Sequence, residues 1–424
     1  MQSYSLAPGI TLRHFETHVF LTRTYTIWFR LPLCRADATQ NALLPDVLKR
    51  GCTAFPTARD IQRRAESLSG TAFTADAVKK GEEQLLRFSL ETTRDVSVAD
   101  ALGFLREMLL RPLAENGCLN KAHTDAARET LRKAILSRAN DKRTYARLRC
   151  LEELCRNEPF GVYGDGYAED LDAADARALY ARYKTILSQT AAEIITIGDM
   201  DADDLAASIQ AILPFPRKGV STPPEASFAI PDEPTRTTQE HMDAAQGKLC
   251  IGLRAGVPSS GQAYCDLLVA NALFGGGGDA KLFTNVREKA QLCYYVSSSY
   301  YRFKSILLVE SGLDPADFTQ AETLIAKEME SMRAGDFTQE ALDKAKKTLA
   351  RHIRTLADDP ATLADFTMAQ VIAGDESSGL AEVVRSIEAV TKDSCQTAFS
   401  QMRLVLTYRL SPQETTQKGE TAHA

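Results

Sequence analysis

Apolar and polar residues alternate along Thr24-Tyr-Thr-Ile-Trp-Phe-Arg-Leu31, a pattern that suits a strand half-buried on one face. A helix is expected around Ala42 to Arg50, and a second over Thr57 to Ser69, stopped by Gly70. Two strand-like runs, Thr71 to Val78 and Gln84 to Glu91, flank the turn-like Lys79-Lys80-Gly81-Glu82. A helix over Ala99 to Leu110 ends before Pro112, and a long helical region runs from Lys121 to Cys155.

The same list recurs further on. A strand is expected at Lys248 to Leu253, a helix at Tyr264 to Phe274, a break at Gly275 to Gly278 and a helix at Asp279 to Lys289. Strand-like runs at Leu292 to Tyr300 and Ser305 to Leu313 flank a turn near Arg302. Helices follow at Phe318 to Arg333, Gln339 to Leu356 and Ala361 to Ile372. Thr130-Leu131 reappears as Thr348-Leu349, Ile135 as Ile353, Ala139 as Ala357 and Asp141 as Asp359, all at one offset. A constant offset is the mark of an internal repeat. The chain is therefore read as α+β: two duplicated domains, each a mostly antiparallel sheet with long helices on one face, a ferredoxin-like roll. The expected boundaries are 1–213 and 236–411, joined by a linker over 214–235 rich in Pro, Ser and Thr, with a polar tail over 412–424.

Composition narrows the function classes. Of the 424 residues, 44% are hydrophobic and 25% charged, as in a globular protein with ample core material. The net charge of -6 is spread along the chain, without the clustered Lys and Arg of a nucleic-acid surface. No apolar run reaches the length of a membrane span, and the N-terminus lacks a basic segment followed by an apolar one. The nine cysteines are odd in number, have no Cys-x-x-Cys spacing and often sit in apolar runs. Buried, reduced thiols and a cytoplasmic location are expected.

The stretch Lys281-Leu-Phe-Thr-Asn-Val-Arg-Glu-Lys-Ala-Gln-Leu-Cys-Tyr-Tyr-Val296 resembles the C-terminal-domain motif of pitrilysin-like (inverzincin) zinc peptidases. In that motif an Arg-Glu-Lys helix end precedes a Leu-x-Tyr strand start. The family includes the mitochondrial processing peptidases and their bacterial relatives. The glycine run before the motif and the duplicated order of elements extend the resemblance over nearly the whole chain. It implies that Arg287 and Tyr294 form a substrate-binding pair. A guanidinium and a phenol can both donate hydrogen bonds to a peptide carbonyl without changing protonation state.

Active members carry His-x-x-Glu-His on the first helix of the N-terminal half, where two imidazoles and a distal carboxylate hold zinc. Aligned on the Lys/Arg-Gly that follows, Ala42 and Asp46 stand here for the two His, and Pro45 for the catalytic Glu. Ala and Pro side chains carry no ligand atom, and one Asp cannot hold zinc alone. No catalytic residue and no cofactor are expected in this chain. A distal carboxylate such as Glu129 is better read as a surface helix residue.

Other chemistry-bearing patterns are weaker. His14, Glu16 and His18 could share a strand face, but His-x-Glu-x-His is not the family motif, and the solvated face of an edge strand is the plainer reading. Gly275 to Gly278 lack P-loop and dinucleotide spacing and read as a loop at a helix start. Trp28 reads as core.

The resemblance thus implies a non-catalytic subunit of a heterodimeric zinc peptidase. It would supply Arg287 and Tyr294 to a metal-bearing sister, with zinc in the sister only, and close with it around an extended peptide. The alternative is a scaffold or binding protein of the same fold. The resembling bacterial subfamily is associated with modification of elongation factor P, which nothing in these residues displays. A self-sufficient metallopeptidase using His14, Glu16 and His18 is disfavoured by its spacing.

Overall fold

A computed structural model describes residues 1–221 and 225–413. The chain opens with β1 (Gln2–Ala7), β2 (Ile10–Glu16), β3 (Thr22–Pro32), α1 (Ala38–Leu48), α2 (Ala58–Ser67), β4 (Ala72–Lys80), β5 (Glu83–Thr93) and α3 (Val98–Leu110). A short hairpin of β6 (Ala114–Glu115) and β7 (Cys118–Leu119) precedes α4 (Lys121–Ser137), α5 (Lys142–Leu154), α6 (Ala176–Gln189), β8 (Ala191–Gly198) and α7 (Ala202–Ile212). Then come β9 (Arg236–Met242), β10 (Gly247–Arg254), α8 (Gly261–Asn271), β11 (Cys293–Tyr301) and β12 (Ile306–Leu313). The last elements are α9 (Phe318–Arg333), α10 (Gln339–Thr355), α11 (Pro360–Ile372), α12 (Leu380–Ala389), α13 (Lys392–Ser400) and β13 (Arg403–Pro412).

Two compact units result, and they are not the contiguous halves expected at 1–213 and 236–411. The first unit comprises Met1–Ser137, Asn157–Ser227 and Arg351–Arg385; the second comprises Arg138–Arg156, Phe228–Ala350 and the residues from Ser386 onward. Each unit therefore takes a helix from the other half. The two exchanged helices, α5 and α11, are equivalent in the repeat, and both are N-capped by its aspartates. Asp141 accepts from the Arg143 and Thr144 amides, and Asp359 from the Thr362 amide. Asp141 also divides the long helical region expected from Lys121 to Cys155 into α4 and α5.

The first unit is built on a six-stranded sheet of order β1-β2-β8-β3-β5-β4, antiparallel except for the β2–β8 pair. Strand alternation gives it two apolar faces. Tyr25, Ile27, Phe29 and Leu31 of β3 face a large core shared with α1, α3 and α6. Trp28 points the other way, fully buried with Ile195, Ile197 and Leu85, and Ala364, Met368 and Val371 of α11 cover that face. Helices thus lie on both faces of this sheet, the second covered by the exchanged helix. Of the linker expected over 214–235, residues 222–224 lie outside the described ones, and Phe215 packs edge-on to Phe29 at 6.0 Å.

The second unit has a five-stranded sheet of order β11-β12-β10-β13-β9, with only β13–β9 parallel. Its register places Ser297, Glu310 and Cys250 in one row and Ser298, Val309 and Ile251 in the next, which face opposite sides. α5 covers the first side. Gly252 lies there, and a β-carbon on it would stand 2.9 Å from the Leu154 side chain, so the close approach of α5 depends on a residue without one. β13 runs to Pro412, and the rest of the tail expected from 412 lies outside the described residues apart from Gln413.

Candidate functional site

α1 carries Ala42, Pro45 and Asp46, the residues aligned in sequence with the His-x-x-Glu-His motif. Leu43, Leu44, Val47 and Leu48 anchor it in the first unit's core. Pro45 lies inside the helix and is buried. It has no N–H to offer the Asn41 carbonyl, an arrangement that costs an isolated helix about 3 kcal/mol and needs tertiary packing to hold it. The Asn41 side chain is itself fixed, donating to Gln84 Oε1 at 2.8 Å and accepting from Arg182 Nε at 2.8 Å.

Asp46 is committed to its own helix end. Its carboxylate lies 2.8 Å from Arg50 Nη2 and 2.9 Å from Lys49 Nζ. Burial pushes its pKa up, but the Arg50 and Lys49 contacts outweigh burial and hold it below the usual carboxylate range. Glu129 on α4 is exposed and paired with Lys133 at 3.3 Å. A methyl, a pyrrolidine ring, a carboxylate tied to two cations and a surface glutamate do not fit a zinc ion. Among the described residues no three His, Cys, Asp or Glu stand together in a metal-ligating group.

The His14, Glu16 and His18 cluster does not assemble. β2 lies inside the sheet, between β1 and β8, so the expectation of an edge strand is corrected. His14 is fully buried, its Nδ1 2.8 Å from Thr196 Oγ1 and its Nε2 2.8 Å from the Met200 carbonyl. A carbonyl only accepts, so Nε2 carries the proton and Nδ1 accepts from the Thr196 hydroxyl. Burial lowers the His14 pKa against the opposing pull of these hydrogen bonds. Glu16 is exposed at the end of β2, and His18 is exposed beyond it.

The Arg/Tyr motif adopts a specific local geometry. Residues Ala272–Gly276 and Phe283–Lys289 are π-helical, a form frequent at functional sites. Gly275 closes the first of these against β11, where a β-carbon would stand 2.6 Å from Ser298 Oγ. The glycine run is thus a packing contact at a helix end as well as a loop. Arg287 is exposed, its guanidinium 4.8 Å from the centre of the Phe283 ring. Gln291 turns the chain at φ 56°, and β11 begins with a bulge. Cys293 pairs with Leu313 and Tyr295 with Gly312, which leaves Tyr294 unpaired in the bulge and 61% exposed. The bulge thus aims the Tyr294 ring out of the sheet and into solvent.

On the α5 side of β11 stands a group that sequence patterns did not single out. The Arg143 guanidinium lies 4.3 Å from the Tyr295 ring centre and donates to Ser297 Oγ at 3.3 Å. Its Nε is 3.5 Å from the buried Glu310 carboxylate, and Arg147, one helical turn on, is 4.0 Å from the same oxygen. Lys248 Nζ lies 5.7 Å from the Tyr295 ring centre. Burial, with Arg143 nearby, lowers the Lys248 pKa despite the opposing pull of Asp141. The one sequence signal was the spacing of Arg143 and Arg147, which puts both on one helix face.

A family described as "Peptidase M16 inactive domain" matches residues 173–349. The "Probable inactive metalloprotease YmfF" of Bacillus subtilis is 30% identical over 96% of both chains. The "Uncharacterized zinc protease YmxG" of the same organism is 26% identical over 28% of this chain and 29% of its own length. In fold, a conserved protein from Enterococcus faecalis V583 superimposes with a TM-score of 0.90 at 24% identity, covering 100% of this chain and 99% of the other. The resemblance carried by Lys281 to Val296 is borne out: this chain belongs to the peptidase M16 family, the pitrilysin-like metallopeptidases, as a member of its inactive branch.

Proposed function

We propose that this chain is the substrate-binding, non-catalytic half of a two-subunit peptidase, and that Arg287 and Tyr294 serve a metal-bearing family member. One contrast carries the reading: α1 retains no ligand set, whereas the Arg/Tyr motif is kept, with both side chains exposed at the head of β11. Neither side chain buries enough surface to be needed for the fold. Both are donors that can take a peptide carbonyl oxygen as negative charge develops on it. The peptide would lie as an added strand, held mostly by main-chain hydrogen bonds.

The test is complementation. The purified chain is mixed with a zinc-bearing M16 partner from the same genome, and cleavage of a quenched peptide library is followed. Arg287→Ala and Tyr294→Phe should each reduce turnover of the mixture by on the order of 10²-fold, the loss typical of one oxyanion donor. Turnover unaffected by both substitutions, in a complex that still forms, would leave a scaffold as the better reading.

A further inference from the structure

β11 is the first strand of its sheet, so one of its edges has no strand partner among the described residues. Natural edge strands are blunted by charge, proline or shortness. β9, at the opposite edge, carries Arg236 and Glu240, and β4 of the first unit carries Asp76, Lys79 and Lys80. β1 is uncharged but short, and its register slips between Ser5 and Ala7. β11 is Cys-Tyr-Tyr-Val-Ser-Ser-Ser-Tyr-Tyr, nine residues without a charge, a proline or a glycine. Its register runs without a break from Tyr295 to Tyr301. Such an edge is a template for another strand.

Charge around the edge defines what that strand should carry. Tyr295, Ser297, Ser299 and Tyr301 share the α5 side. A strand added about 4.8 Å away would place every second side chain beside that row. Arg143 stands over the row, 45% exposed, tied to the strand by the Tyr295 ring and the Ser297 hydroxyl. Arg147 and Lys248 back it. The acids facing them are Glu310, which is buried and meets the two arginines only at 3.5 and 4.0 Å, and Asp141, which is occupied capping α5. At the bulge end, Arg287 and Lys289 stand against Glu288 alone within their own turn. Positive charge is therefore in excess along this edge of a chain whose net charge is -6.

We infer that the open edge of β11 takes up an extended peptide as a sixth strand, and that Arg143, with Arg147, selects acidic side chains at alternate positions of that peptide. The inference rests on the peptide-binding reading above and names its substrate class. Arg143 is suited to the task because a guanidinium held over an aromatic ring, 4.3 Å from its centre, can still offer N–H groups to a carboxylate.

The experiment uses the full chain and three fluorescein-labelled ten-residue peptides. Their sequences alternate Val with Glu, Gln or Lys and are otherwise identical. Fluorescence polarisation should rank Glu over Gln over Lys, with Glu and Lys separated on the order of tenfold at low salt and less as salt is raised. Arg143→Glu with Arg147→Glu should invert the order, and the milder Arg143→Gln should flatten it with the fold intact. Hydrogen exchange should slow at residues 293–301 when the Glu peptide is added. Equal affinity for the three peptides overturns the charge selection, and protection elsewhere than β11 overturns the site. Failure here is separable from failure of the proposed function. Partner-dependent turnover with no protection of β11 sinks only the edge inference. Peptide binding with the predicted ranking but no partner-dependent turnover sinks only the split-subunit reading.

Discussion

Met368 is the residue at which the exchanged helix can be tested most sharply. It is fully buried in the small core that α11 makes with Trp28, Leu85, Ile195 and Ile197 on the second face of the first sheet. Met368→Ala removes three heavy atoms beyond the β-carbon. At about 0.8 kcal/mol per buried methylene-sized group, the transfer loss is roughly 2.4 kcal/mol. A residual cavity raises this into the range of about 2–5 kcal/mol seen for such truncations. Met368→Leu keeps the volume and should cost under about 1.5 kcal/mol. Trp28 is the chain's single tryptophan, so its fluorescence during urea unfolding reports this core alone. The alanine variant should lose stability in proportion to the shift of the Trp28 transition midpoint, and the leucine variant should stay close to the parent. A loss below about 0.5 kcal/mol in Met368→Ala, the range of an ordinary surface substitution, would refute the placement of α11 over Trp28.

Other outcomes follow from the same structure. His14 is held neutral by burial, with a folded pKa below its ordinary value of about 6.5. Its contribution is present above that value and is lost as pH falls through the folded pKa, so thermal denaturation should show stability declining below pH ~6.5, with a flatter profile in His14→Gln. Asp46 is depressed too, so its contribution is intact above the unfolded value of about 3.9 and fades as pH falls below it; Asp46→Asn should remove that part of the acid limb in urea titrations. Gly252→Val would force a branched side chain against Leu154 and should cost about 1–3 kcal/mol by calorimetry, with the α5 amides exchanging faster. Arg287→Ala and Tyr294→Phe should leave the melting temperature within the range of neutral surface changes, which separates a binding role from a structural one.

Much of the fold was legible because the repeat is. The offset that links Thr130 to Thr348 and Asp141 to Asp359 also links the bounds of α4 to those of α10, and of α5 to those of α11. An offset states equivalence, not position, so the exchange of α5 and α11 between units was hidden from it. β8, the central strand between β2 and β3, escaped because Ala191-Ala-Glu-Ile-Ile-Thr-Ile-Gly198 is buried on both faces and does not alternate. The same double burial misled the reading of His14. Its alternation with Glu16 looked solvated, yet β2 is an interior strand and a threonine and a carbonyl supply the polar partners. At the site, residue types alone reveal the loss at Ala42 and Pro45, because neither side chain has a ligand atom. The bulge that presents Tyr294 and the ring that holds Arg143 depend on pairing register and on a helix from the other half of the sequence, which no local pattern encodes.

The central claim is that this chain has lost its own chemistry and retains a binding role. It is tested most directly by peptide turnover of the purified chain, alone and mixed with a zinc-bearing M16 partner, with zinc content measured on the same samples. The account predicts no turnover and no stoichiometric zinc in the chain alone, and chelator-sensitive turnover in the mixture that falls when Arg287 or Tyr294 is replaced. Chelator-sensitive turnover by the chain alone, with about one zinc per molecule, would contradict it.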